Sequence, residues 1–119
     1  MSKLLGSWGE AKSAEYLRKK GYKIEAMNYH SRFGEIDIIA RKKKTVVFVE
    51  VKLRKDGTFA NAFEFVSKSK QEKIILTAQA YLQEKEDNKS QPRFDVIEIY
   101  APYGICDEFV LNHIENAYE

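Results

Sequence analysis

A single cysteine, Cys106, stands in the 119 residues, so no disulfide closes within the chain and no cysteine-based zinc site is available. No apolar run approaches the length needed to span a bilayer, and the opening MSKLLGSWGEAKS lacks the apolar core of a signal peptide. Repeats, low-complexity segments and domain linkers are absent. Histidine is scarce: His30 reads as a surface residue in a loop, and His113 has no third ligand near it to join Cys106 in a metal site. What remains is one domain over residues 1–119 with a single core, expected in the cytoplasm and without a membrane partner.

Charge of one sign is missing where it would even out the chain. The formal net charge is only +2, yet residues 41–73 hold 10 Lys or Arg against 4 Asp or Glu, and residues 74–119 hold 3 against 9. A local basic surface beside clustered acids suits a polyanion such as nucleic acid, although charge runs more often mark solvated faces.

The stretch with most information is 34–54, GEIDIIARKKKTVVFVEVKLR. Two apolar runs flank four cations, the pattern of strand, turn and strand. A loop centred between Lys43 and Lys44 makes cross-strand partners sum to 87, which sets Asp37 opposite Glu50 and Glu35 opposite Lys52. One face then carries Ile36, Ile38, Ala40, Val47, Val49 and Val51. The other carries Ile39, Val46 and Phe48 near the turn, and the four charged residues at the far end. Opposed carboxylates destabilise a sheet, so Asp37 and Glu50 call for a cation between them, a divalent metal being the natural one. The plain alternative is a solvated edge with a surface ion pair between Glu35 and Lys52.

Around this hairpin the pattern predicts a helix over 3–20, with Leu4, Trp8, Ala11, Ala14 and Leu17 as its buried stripe, Glu10 on the margin and Gly21 as C-terminal cap. A first strand follows over 22–29. Residues 54–66 read as a mobile loop whose Phe59, Phe63 and Phe65 cover core or stack on bases. Ser69 to Glu72 fits a capping box that opens a helix running to about Lys85 on Ile74, Ile75, Ala78, Tyr81 and Leu82. Lys68, Lys70 and Lys73 crowd its start, where backbone N–H groups and cations make a phosphate site as readily as a merely basic helix end. A strand over 94–100, joined through that helix, should lie parallel to the second hairpin strand. A short strand over 109–111 and a tail over 113–118 close the chain.

The ordered set of Glu10 on a first helix, Asp37 on one hairpin strand, then Glu50-Val51-Lys52 on the next, resembles the PD-(D/E)XK nuclease superfamily. Within it the chain is similar to the archaeal Holliday-junction resolvases and most of all to the YraN-like nuclease-related family. That likeness runs through Gly9-Glu10, Gly21-Tyr22, Asn28-Tyr29, GEIDIIA, VFVEVKLR, Lys70, Ala80-Tyr81-Leu82, RFDVIEI and Asn116-Ala117-Tyr118. Ile36 stands where a proline can precede the acid, a harmless departure because proline in a strand only removes a donor.

The resemblance implies a restriction-endonuclease-like α/β fold: a helix, a three-stranded antiparallel meander, a helix and a parallel strand, in a mixed sheet flanked by helices. It implies a metal-dependent endonuclease acting on DNA, branched DNA included, with Glu10, Asp37, Glu50 and Lys52 as catalytic residues. Mg²⁺ or Mn²⁺ would be held by Asp37, Glu50, the Val51 carbonyl and Glu10, with Glu35 orienting Lys52. Arg54, Lys68, Lys70 and Lys73 would grip the nucleic acid. A homodimer follows from the resolvase likeness by analogy alone. A binding module that keeps the fold without cutting, and an interaction domain with an incidental acidic cluster, are the alternatives.

Overall fold

Seven elements follow one another in the computed structural model, which describes residues 3–54 and 66–118. They are α1 (Lys3–Lys19), β1 (Lys23–His30), β2 (Glu35–Lys42), β3 (Thr45–Arg54), α2 (Lys68–Glu84), β4 (Gln91–Tyr100) and β5 (Val110–Tyr118). The strands form one sheet in the order β1-β2-β3-β4-β5. Only the β3–β4 pair is parallel; the other three are antiparallel. The protein is therefore α/β with a mixed five-stranded sheet, and β4 lies parallel to β3 as its connection through a helix requires. The loop expected over 54–66, with Phe59, Phe63 and Phe65, falls outside the described residues except at its two ends.

Strands covered on both faces must be apolar on both, and β3 is from Val46 to Val49. Val46 and Phe48 pack with Ile74, Ala78 and Tyr81 of α2, while Val47 and Val49 pack with Ala14 and Leu17 of α1. On the α2 side the core is partly a column of rings: Tyr29, Tyr81, Phe48, Phe94 and Tyr118 follow one another with centroids 5.1 to 6.1 Å apart.

Helix α1 is rolled relative to the stripe its sequence suggests. Leu4 is 71% exposed and Ala11 faces out, whereas Gly9, Ser13, Ala14 and Leu17 are buried. Small residues decide this. A Cβ on Gly9 would stand 3.2 Å from Leu53 Cδ2 of β3, so glycine lets the helix seat itself close to the sheet. The buried Ser13 hydroxyl is satisfied by the Gly9 carbonyl at 2.9 Å. The helix ends as expected at Gly21, with φ +95°: the Tyr22 N–H reaches the Leu17 carbonyl and the Gly21 N–H that of Arg18.

The C-terminal tail expected over 113–118 is instead the body of β5, paired with β4 from Tyr100–Val110 to Phe94–Tyr118. Polar side chains do the pinning. The fully buried Asp95 accepts two hydrogen bonds from Arg93, one from His113 Nε2 at 2.7 Å and one from the Asn116 N–H at 3.0 Å, beside an irregularity in the ladder. His113 Nδ1 lies 3.0 Å from the Tyr16 hydroxyl of α1, and Arg93 also reaches Tyr22. Burial alone would push the Asp95 carboxyl up; the bonds from His113, Arg93 and the Asn116 N–H outweigh it and hold the group below its ordinary value.

Asp95→Ala leaves a half-buried arginine, a buried imidazole and a backbone N–H without their common acceptor. Urea unfolding should show a loss of about 3 kcal/mol or more, against about 0.5 kcal/mol or less for Glu15→Ala, which breaks exposed i,i+3 and i,i+4 pairs.

Candidate active site

The β2–β3 ladder keeps the register summing to 87 for five pairs, from Lys42–Thr45 to Ile38–Val49, and then opens. Asp37 and Glu50, next in that register, do not close a sixth pair. The Asp37 carboxylate reaches into the gap instead and accepts the Val51 N–H at 2.8 Å. Two carboxylates directly opposed in a closed ladder repel; opening it lets one of them satisfy a backbone donor. A strand residue sends its N–H and C=O to the same side, so the Val51 carbonyl faces this gap too.

The alternation of β2 breaks at the same place. Ile38 and Ala40 pack on the α1 side as expected, but Ile36 joins Ile39 on the α2 side, which corrects the wholly apolar single face. Across from the break, Asn28 of β1 has φ 50°. The expected partnership of Glu35 with Lys52 is likewise absent. Glu35 pairs with His30 of β1, its carboxylate 3.9 Å from the imidazole, because β2 has left β3 by that point.

Glu50 points to the α2 side, where it is buried, and its Oε1 accepts from Lys70 Nζ at 2.6 Å. The start of α2 fixes that lysine. The N-cap is Ser67, two residues before the expected Ser69, and its side chain accepts the Lys70 N–H. The buried Gln71 side chain ties the same turn to the Val66 carbonyl at 3.0 Å. A cavity of about 340 Å³ lies between this turn and the strands, lined by Glu35, Asp37, Glu50, Ser67, Ser69, Lys70 and Lys73.

Glu10 approaches from the α1 side. Its carboxylate accepts from Asn28 Nδ2 at 3.0 Å and lines a second cavity, of about 430 Å³, together with Asn28, His30 and Glu35. Glu35 borders both cavities and so stands between Glu10 on one side and Asp37 and Glu50 on the other. Lys52 follows Glu50 on the same face of β3, half-buried, its ammonium without a hydrogen bond or ion pair among the described residues. Arg54 reaches the fully buried Glu98 of β4 at 3.6 Å, and Lys68 is exposed on the first turn of α2. Of the four cations expected on nucleic acid, Lys70 and Lys73 thus line the cavity, while Arg54 turns toward Glu98.

Asp37 registers this crowding. Burial first, then the charge of Glu50 and more weakly that of Glu10, push its carboxyl up to about 7, against the Val51 N–H and the Lys70 charge. Among the described residues no three Asp, Glu, His or Cys side chains stand close enough to hold one ion. The donor set is two carboxylates and a backbone carbonyl. Such a set suits Mg²⁺ or Mn²⁺, which bind through one or two carboxylates, waters and substrate phosphates, and does not suit zinc. Another cavity, of about 570 Å³, lies at the turn end of the hairpin, and its polar groups serve one another: Arg41 holds Glu25 and Asp87, and Tyr81 donates to Glu25.

Several residues of this arrangement escape the sequence reading. Asn28 orients Glu10, Ser67 caps α2, and the buried acids Asp95 and Glu98 sit on β4. The signal for the last two lay in RFDVIEIY: acids on a strand flanked by apolar residues on both faces need partners. Tyr118 is buried with its hydroxyl unpartnered among the described residues. Burial and the charges of Glu50 and Asp95 raise its pKa.

This fold, an α/β mixed sheet with an acidic rim where its central hairpin opens, can be set beside known proteins. Residues 9–99 match the model of the family described as Uncharacterised protein family UPF0102, and the chain belongs to that family. It is 47% identical over 117 residues to a UPF0102 protein of Caldanaerobacter subterraneus subsp. tengcongensis, covering 98% of this chain and 95% of the relative. UPF0102 proteins of Alkaliphilus oremlandii and Clostridioides difficile are each 42% identical, covering 99% and 95% of this chain and 100% and 95% of their own.

The raised Asp37 pKa has a stability consequence. Between the ordinary aspartate range and about pH 7 the folded chain binds a proton that the unfolded chain has released, so on this account stability falls as pH rises. Asp37→Asn keeps an acceptor for the Val51 N–H and removes the charge. Denaturant titrations should find the variant more stable than the parent by on the order of 2 kcal/mol at about pH 8 and equal to it at about pH 4. Equal stabilities at both pH values would mean that Asp37 is not under this strain.

Proposed function

We propose that the protein is a metal-dependent nuclease that hydrolyses phosphodiester bonds of nucleic acid, DNA before RNA and branched DNA included, in the cytoplasm. The observation that carries this reading is the pair of carboxylates, Asp37 and Glu50, held together at the open end of the β2–β3 ladder in a cavity whose opposite wall is cationic. The order of α1, β1–β3, α2 and β4 supports a restriction-endonuclease-like core, to which β5 adds an antiparallel edge.

In this reading Asp37, Glu50 and the Val51 carbonyl hold Mg²⁺ or Mn²⁺, with Glu10 reaching the site through water. The ion, when bound, polarises the phosphoryl group and acidifies water. Lys52 steadies the attacking water and offsets charge on the phosphoryl oxygens. Lys70 and Lys73, at the N-terminal end of α2, receive the backbone phosphates. Nucleic acid is a sufficient partner for this chemistry, and a second copy of the chain would set two such centres against two strands. Among the described residues no helix is long and apolar enough to cross a membrane.

A second reading, a module that binds without cutting, draws support from the Lys70–Glu50 ion pair, which neutralises one acid without any metal. One set of assays separates the two. Incubated with branched, duplex and single-stranded DNA, the protein should nick at least one substrate when Mg²⁺ or Mn²⁺ is present, and Asp37→Ala or Glu50→Ala should abolish it. Nicking that survives either change would remove the proposed centre. Salt-sensitive binding retained in Glu50→Gln, with no nicking by the parent, would select the binding module.

A further inference from the structure

The cation against the acidic rim, Lys70, is held by an acid of that rim. Lys70 is the third residue of α2, its backbone N–H is fixed by Ser67, and its neighbours Ser69 and Lys73 line the open cavity. Yet its ammonium lies 2.6 Å from Glu50 Oε1, on a carboxylate that is only 7% exposed, and its charge also acts on Asp37. A buried carboxylate beside a second one needs a positive partner. Lys70 supplies it from a side chain that is itself 41% exposed and free to swing on a long stem.

We infer that Lys70 is a displaceable counter-ion, holding Glu50 until a divalent cation claims that carboxylate and then turning to a phosphate in the same cavity. The inference rests on the metal-dependent reading above. An ammonium 2.6 Å from Glu50 Oε1 and a divalent ion on the same carboxylate repel each other. Each weakens the other's hold, so the ammonium competes with the metal for the site. Once released it remains within the cavity lined by Ser67, Ser69 and Lys73, where the first turn of α2 favours an anion. One side chain thereby serves the folded protein without metal and the substrate with it.

The test is calorimetric titration of Mn²⁺, without nucleic acid, into the parent protein and Lys70→Met, paired with thermal unfolding in chelator. The variant should bind Mn²⁺ roughly tenfold more tightly, because the competing ammonium is gone. The gain should persist between about 0.1 and about 0.5 M KCl, since a competitor within bonding distance is not screened as a distant charge is. In chelator the variant should melt below the parent, and Mn²⁺ should close that gap. Lys70→Gln, which can still donate to Glu50 without charge, provides the same comparison if the methionine variant does not fold. Equal or weaker binding by the variants, with the parent binding Mn²⁺, overturns the inference and leaves the metal site standing. A gain that vanishes at the higher salt also overturns it. No Mn²⁺ binding by any of the proteins overturns both this inference and the metal-dependent reading.

Discussion

A backbone N–H released from a sheet must find another acceptor, and the shape of this protein follows from two such N–H groups. Where β3 parts from β2, the Val51 N–H is taken by Asp37; where the β4–β5 ladder shifts, the Asn116 N–H is taken by Asp95. In both places a short acidic side chain replaces a strand carbonyl, which keeps the donor satisfied while the strands diverge. The surroundings then differ. Asp95 is enclosed by Arg93 and His113, and its charge is welcome. Asp37 faces Glu50 and the field of Glu10, and its charge is resisted. The first arrangement closes a sheet; the second leaves a carboxylate poised between protonation and a cation.

The divergence of β2 from β3 also determines which elements can contribute to the rim. Had the ladder continued, Asp37 and Glu50 would face each other over a flat strand pair, and Glu10 would be separated from them by the sheet. Opening at Asp37, with the left-handed Asn28 opposite, turns the end of β2 so that α1 and the start of α2 both reach its last acid. The two cavities that meet at Glu35 are the surface expression of that opening. The chemistry proposed here depends on this local geometry rather than on the fold as a whole, since one fold hosts many activities.

Much of this was legible in the chain. The period-two pattern around four cations gave the hairpin and its register, because both are local and the turn fixes them. A helix between two apolar strands gave the parallel β3–β4 pair. The misses have a common cause in distance along the sequence. Residues 113–118 look like a tail, since the acid that orders them, Asp95, lies outside any local window. The roll of α1 depends on Leu53 standing over Gly9, and the N-cap at Ser67 on how Val66 is buried. Lys70 and Glu50 are twenty residues apart, and nothing in either neighbourhood announces their ion pair. Of the site, the individual acids and lysines were readable from pattern and resemblance, whereas their partners required the folded chain.

The close seat of α1 on β3 gives Gly9 a part out of proportion to its chemistry. Leu53 touches the helix from one face of a strand whose next-door residues, Lys52 and Arg54, belong to the other. Helix and strand thus share one close contact, and a side chain at position 9 would require Leu53 to give by a few tenths of an ångström. Glu10 is the next residue on that helix, so an amino acid with no side chain sets how near the sheet the charged one is mounted, on the side opposite the cavity that Asp37 and Glu50 line.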